Sequence, residues 1–184
     1  VDVNIRGKTI TAHCPNTGSM DGLLKKGNSV WLTKTNNPKR KLKYTLQIIQ
    51  DKKSKVGVNT HLTNKIVLHA LENNLIKEFN KEIKIKPETK YGSNTRFDFL
   101  ITKKNLKTFL EVKNVTLSRV NGLAEFPDAV TSRGLKHINE LINAGQEGYK
   151  IFILFLIQRD DCKSFSIAKD IDAEYSNSLS KAVK

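Results

Sequence analysis

The chain has 184 residues, enough for one large domain or two small ones, and its 38% apolar share supports a real core and excludes a disordered tail. Lysine and arginine number 32 against 18 aspartate and glutamate, a formal net charge of +14, with a sequence pI of about 9.8. The excess is spread along the chain, which points to a polyanionic partner, nucleic acid before anionic membrane, with plain solubility as the alternative. Two distant cysteines, Cys14 and Cys162, exclude a disulfide scaffold or a zinc ribbon and fit a reducing, cytoplasmic setting. The longest apolar run, Ile151–Ile157, falls far short of the roughly 18–20 residues of a membrane span, so no membrane partner is expected.

Residues 1–59 read as β throughout. Val1, Val3 and Ile5 alternate with polar residues, Arg6-Gly7-Lys8 turns, and Thr9–His13 returns. Ser29–Thr35 is a strand carrying Trp31. Lys41–Ile49 alternates strictly, with Leu42, Tyr44, Leu46 and Ile48 on one face, and Lys55–Asn59 completes the set. Short strands at this spacing predict a small OB-like β-barrel. The loop His13–Met20 reads as a well-capped turn. Lys39, Arg40 and Lys41, followed by Tyr44, suit phosphate contact and base stacking, or else a charged edge that blocks strand aggregation.

From Thr60 the periodicity becomes helical: Leu62, Ile66, Val67, Ala70 and Leu71 make one face, with Thr60 as cap. The domain boundary therefore falls at residue 59, giving a barrel over 1–59 and a second domain over 60–184. Glu82–Lys86 reads as a strand and Lys90–Ser93 as a basic turn. Thr95–Ile101 and Thr108–Thr116 read as a hairpin joined across Thr102–Lys107. Gly122–Thr131 reads as a loop. A second helix over Thr131–Ala144 buries Leu135, Ile138, Leu141 and Ile142, leaving Arg133, Lys136 and His137 on or near its polar side. Tyr149–Ile157 is a buried strand, Ser164–Ala168 a further strand, and Asp172 caps a last helix, Ala173–Val183.

The hairpin carries the chemistry. Phe97, Phe99 and Ile101 point one way, as do Leu110 and Val112; Arg96, Asp98, Glu111 and Lys113 point the other. A register pairing Ile101 with Thr108 puts Asp98 opposite Glu111 and Arg96 opposite Lys113. Facing carboxylates repel, which suits a hard divalent cation between them, and Lys113 could then hold an attacking hydroxide or a phosphate. The alternative is a solvated polar face on an edge hairpin. No phosphate-binding glycine loop, dinucleotide fingerprint or serine elbow occurs. His61 and His69 read as helix-surface residues.

The order helix, strand, strand, strand, helix, strand, with Asp98 on the second strand and Glu111-Val112-Lys113 on the third, resembles the PD-(D/E)xK nuclease-like fold. His13–Met20, Asn36–Lys41, Val58–Thr60, Lys90–Gly92, Arg96–Phe99, Glu111–Leu117, Phe126–Thr131 and Arg133–His137 together resemble the sugar fermentation stimulation protein A family of bacteria and archaea. That resemblance implies an OB-like N-terminal domain, a nuclease-like C-terminal domain (an α+β chain overall) and sequence-independent DNA binding. Asp98 and Glu111 would be ligands of Mg2+ or Mn2+, and Lys113 the catalytic lysine. Lys39, Arg40, Lys41, Tyr44, Arg96, Arg133, Lys136 and His137 would contact DNA. Many nuclease-like relatives add a Glu from the first helix; this chain has His69 there and Glu72 three residues on. Three functions follow: a Mg- or Mn-dependent nuclease, a non-catalytic DNA-binding regulator linked to sugar (maltose) metabolism, or, from the family name alone, a phosphosugar-binding protein.

Overall fold

The computed structural model describes residues 1–80 and 82–183. Its elements in chain order are β1 (Asp2–Ile5), β2 (Lys8–Thr11), β3 (Val30–Lys34), β4 (Tyr44–Asp51), β5 (Ser54–Gly57), α1 (Thr63–Glu72), β6 (Lys84–Tyr91), β7 (Thr95–Lys103), β8 (Leu106–Val115), β9 (Leu117–Val120), β10 (Leu123–Phe126), α2 (Ser132–Gln146), β11 (Lys150–Ile157), β12 (Ser164–Ile167) and α3 (Ala173–Ala182). The chain divides into two compact units. One comprises Val1–Leu62, Val115–Asp128 and Ile157–Ser166; the other comprises Thr63–Asn114, Ala129–Leu156 and Ile167–Lys184. The first break lies near the expected residue 59, but the first unit also recruits two later segments. The cause is local pairing: Gly57 donates its N–H to the Gln158 carbonyl, and Val56 bridges to Arg159.

In the first unit, β1 and β2 form a hairpin whose turn residues Arg6 and Gly7 both take positive φ (51° and 84°), matching the twist of the flanking strands. Strands β3, β4 and β5 form an antiparallel sheet over a core of Met20, Leu23, Leu46, Ile49, Val56 and Val58. The strict alternation expected over Lys41–Ile49 does not hold. β4 starts at Tyr44, and its buried residues are Leu46 and Ile49, because the register slips between Trp31 and Leu32. Leu123–Phe126, which lie in the expected loop Gly122–Thr131, are instead β10, and with β9 and β12 they make a three-stranded sheet. Their charged residues disguised them: Arg119 and Glu125 pair through two side-chain hydrogen bonds, at 3.1 and 2.6 Å.

The second unit is built on a four-stranded sheet in the order β11-β8-β7-β6. The β7–β8 turn is only Lys104–Asn105, so both strands run further than expected. β6 continues through Lys90, which the sequence had suggested was a turn. Its Pro87 suits a strand at the sheet's end. β11 lies at the other end and is half-buried rather than buried, with Phe152 37% exposed. Two apolar clusters hold the unit. Val67, Leu71 and Phe79 pack with Phe99, Ile101, Leu110 and Val112; Leu141 and Ala144 of α2 pack with Phe97 and Phe109. Phe97 thus parts company with Phe99 and Ile101. In α1 the buried stripe is Thr63, Val67 and Leu71, while Leu62 and Ile66 are exposed and Thr60 turns away from capping to donate to the Pro15 carbonyl. α2 and α3 begin where expected, capped by Thr131 and Asp172. Asp172 accepts from the N–H of both Tyr175 and Thr131, tying the two helix starts together. No described helix is long and apolar enough to cross a membrane.

Candidate metal centre

The β7–β8 ladder has the expected register, from Lys103↔Leu106 through Ile101↔Thr108 to Phe99↔Leu110. The next step would set Asp98 main chain against Glu111. There the side chain takes over: Asp98 Oδ2 accepts from Val112 N at 2.7 Å, and Oδ1 accepts from the Asn64 amide of α1 at 2.7 Å. Glu111 turns instead toward α2. Its Oε1 accepts from Lys113 Nζ at 2.8 Å and from His137 Nδ1. The two carboxylates, expected opposite each other, thus each carry further partners. Each is anchored by a different helix, because Leu110 and Val112 pack on the α1 cluster while Phe109, on the alternate face, packs on the α2 cluster.

The carboxylates still sense each other. Burial raises the Asp98 carboxyl above its ordinary range, and the Glu111 charge adds to this, outweighing the Val112 N–H, the Asn64 amide and Lys113. Burial also pushes Glu111 upward, but the His137 hydrogen bond and the Lys113 ammonium overcome it, so Glu111 is held below the usual glutamate range. The Tyr175 hydroxyl is raised by burial and then by the charges of Glu111 and Asp172, which places this α3 residue within the field of the site.

One atom is left over. The Glu111 side chain is only 4% exposed, yet no hydrogen-bond donor among the described residues reaches its Oε2. An unsatisfied acceptor of that kind costs about 1–3 kcal/mol, and more for a charged group. A divalent cation would satisfy it: Mg2+ is commonly held by one or two carboxylates, with water and phosphate oxygens completing the shell. Oε2 of Glu111 and the Asp98 carboxylate fit that donor set. Among the described residues, no three His, Cys, Asp or Glu side chains assemble into a richer cluster. Neither His69 nor Glu72 brings α1 to the site: both are exposed, and His69 bonds to Asn73. The α1 residue that arrives is Asn64. No local pattern marks it, since its partner lies 34 positions away.

His137, expected on a DNA-facing surface, is 9% exposed and committed to Glu111. It lies one residue before Ile138 and four before Leu141, a position that a wider apolar stripe would have included. Arg133 and Lys136 are exposed, and Lys136 donates to the Asn94 carbonyl at 3.1 Å. Arg96 is exposed and pairs loosely with Glu88 at 3.6 Å, a contact of little energetic weight. In the other unit, Lys39 and Lys41 are exposed and Arg40 and Tyr44 half-buried. Asn37 shapes this loop by accepting from Lys39 N at 3.0 Å and Lys43 Nζ at 3.0 Å.

Comparison with known proteins bears on the same two regions. Residues 1–58 match the family model described as the N-terminal OB domain of sugar fermentation stimulation protein, and residues 61–184 match the model described as its RE domain. A sugar fermentation stimulation protein homolog from Pelagibacter ubique is 58% identical over 174 residues, covering 95% of this chain and 75% of the relative. One from Ruegeria sp. is 46% identical, covering 92% and 74%. Among solved structures, Pyrococcus furiosus SfsA in complex with Ca2+ superposes with a TM-score of 0.89 at 27% identity, covering 99% of this chain and 77% of that one. With an OB domain at its N-terminus and both family models matched in order, the chain belongs to the sugar fermentation stimulation protein family.

Proposed function

We propose that this chain binds DNA without sequence preference and holds a divalent cation, Mg2+ or Mn2+, at Asp98 and Glu111, in a nuclease-like domain suited to phosphodiester hydrolysis. The observation that carries the reading is the unsatisfied, buried Oε2 of Glu111 beside a second carboxylate and a lysine. The Ca2+ complex of the related Pyrococcus furiosus protein supports a divalent cation. The net charge of +14 supports a polyanionic partner.

When bound, the cation supplies charge for a phosphoryl oxygen and acidifies a water at neutral pH. The residues of the chain do the rest. Asp98 is pre-set by two donors, so it need not reorganise to act as a ligand. Glu111 stays ionised because Lys113 and His137 hold it so. Lys113 carries the only ammonium bonded to this pair among the described residues and, once its hold on Glu111 loosens, can stabilise charge building on the phosphate. Exposed Arg133 and Lys136 on α2, and Lys39 and Lys41 in the β3–β4 loop, offer phosphate contacts.

The second reading, a DNA-binding regulator without catalysis, draws on a specific feature: Lys113 is closed onto Glu111 at 2.8 Å, and α1 contributes an amide rather than a third carboxylate. The test incubates the parent, Asp98→Ala, Glu111→Ala and Lys113→Ala proteins with Mn2+ and plasmid or single-stranded DNA. Cleavage by the parent alone, with DNA binding kept in all four, supports the nuclease. A parent that binds DNA but cuts nothing with any divalent ion leaves the regulator.

A further inference from the structure

We propose that His137 is a positioning residue for the cation: from α2 it fixes the Glu111 carboxylate so that Oε2 is the oxygen presented as ligand. The inference rests on the reading of Asp98 and Glu111 as cation ligands. Its basis is the lopsided loading of Glu111. Both donors, Lys113 Nζ and His137 Nδ1, meet Oε1, and none meets Oε2. An ionised carboxylate only accepts, so the imidazole nitrogen at Oε1 donates its N–H. Two donors on one oxygen of a side chain 4% exposed fix the plane of the group and leave the other oxygen's lone pairs for the ligand.

The two donors are not equivalent. Lys113 sits two residues along the same strand on a flexible stem, and in the proposed reaction it must turn toward phosphate. His137 cannot follow it. Its ring stands edge-on to Phe97, with centroids 6.4 Å apart and planes at 84°, and its neighbours Ile138 and Leu141 are buried. When Lys113 leaves, His137 is the side-chain donor that remains on Glu111. Asp98 is secured differently, by Asn64 of α1 and by the Val112 N–H, so it keeps one anchor if Asn64 is lost. The site therefore depends more on His137 than on Asn64. Partners that orient metal ligands typically change affinity 10–100-fold when removed.

The experiment is calorimetric titration with Mn2+ of the parent, His137→Ala, His137→Asn, Asn64→Ala and Asp98→Ala, each checked by thermal melting. The Asn amide nitrogen takes the place of Nδ1 and restores a donor. The expected result is Mn2+ binding weakened about 10–100-fold in His137→Ala, largely regained in His137→Asn, and weakened less in Asn64→Ala. If His137→Ala does not fold, His137→Leu, which fills the space without a donor, takes its place. Parent-like Mn2+ affinity in a folded donor-less variant, or no recovery in His137→Asn, overturns the positioning role while leaving the metal site standing. A parent that takes up no Mn2+, or an Asp98→Ala protein that binds it equally well, overturns the metal reading and this inference with it.

Discussion

Replacing Lys113 with methionine tests the buried arrangement without any metal. The substitution keeps the aliphatic stem and removes the ammonium 2.8 Å from Glu111 Oε1, leaving a carboxylate 4% exposed with His137 as its one remaining side-chain donor. Removing one partner of a buried pair costs about 3–5 kcal/mol; because His137 stays, the expected loss is about 2–4 kcal/mol at pH 7. The pH dependence has a definite sign. In the parent, Glu111 titrates below its ordinary 4.5, so it contributes stability that is present above that value and lost as pH falls through the lowered one. Without Lys113 that depression shrinks, and a buried carboxyl becomes easier to protonate. The parent and Lys113→Met should therefore differ fully at pH 7 and converge as pH falls from 4.5 through the lowered Glu111 value. Urea melts with chelator present, at pH 7 and pH 4, measure this. A loss that is equal at both values, or absent at pH 7, would refute the coupling of Lys113 to an ionised, buried Glu111.

Other outcomes follow from separate parts of the molecule. Lys39→Ser, Arg40→Ser and Lys41→Ser combined should weaken DNA binding and reduce the salt slope by up to about three charges' worth, roughly 0.9 per phosphate contact for duplex DNA; unchanged affinity in a folded triple variant would assign the loop to a solvated edge. Asp98→Ala, which removes a negative charge near the proposed DNA contacts, should bind DNA as well as the parent or better in chelator, as read by fluorescence polarisation. In the first unit, Arg159 bonds Asp161 at 2.9 and 2.8 Å and holds it down to about 2. Its stabilising effect is present above the ordinary 3.8 and fades as pH falls toward 2. Arg159→Leu should flatten acid unfolding across that window, by about 1 kcal/mol or less because the aspartate is partly solvent-screened; an unaltered acid profile would remove the pair from the stability of the unit.

What could be read beforehand tracks the range of the forces involved. The β7–β8 register was legible because alternation and turn are local, and the Asp172 cap was legible for the same reason. The expectation of a division at residue 59 came from a change of periodicity. The recruitment of Val115–Asp128 into the first unit did not, because strands of four residues with an ion pair inside carry little periodic signal. At the candidate site, the sequence pointed to Asp98, Glu111 and Lys113 but not to their surroundings. His137 looked polar-facing because imidazole counts as polar, whereas a buried carboxylate made it a core residue. Asn64 was invisible because amides at helix starts are common and only the tertiary fold says which one meets an aspartate.

The most direct measurement is an anomalous difference map from a crystal soaked in Mn2+ at neutral pH. The expected result is a single strong peak in coordination range of Glu111 Oε2 and an Asp98 oxygen, with Glu111 Oε1 still bonded to His137. A map with no peak at this pair, from a crystal in which Mn2+ is bound elsewhere, would contradict the assignment of Asp98 and Glu111 as the cation's ligands.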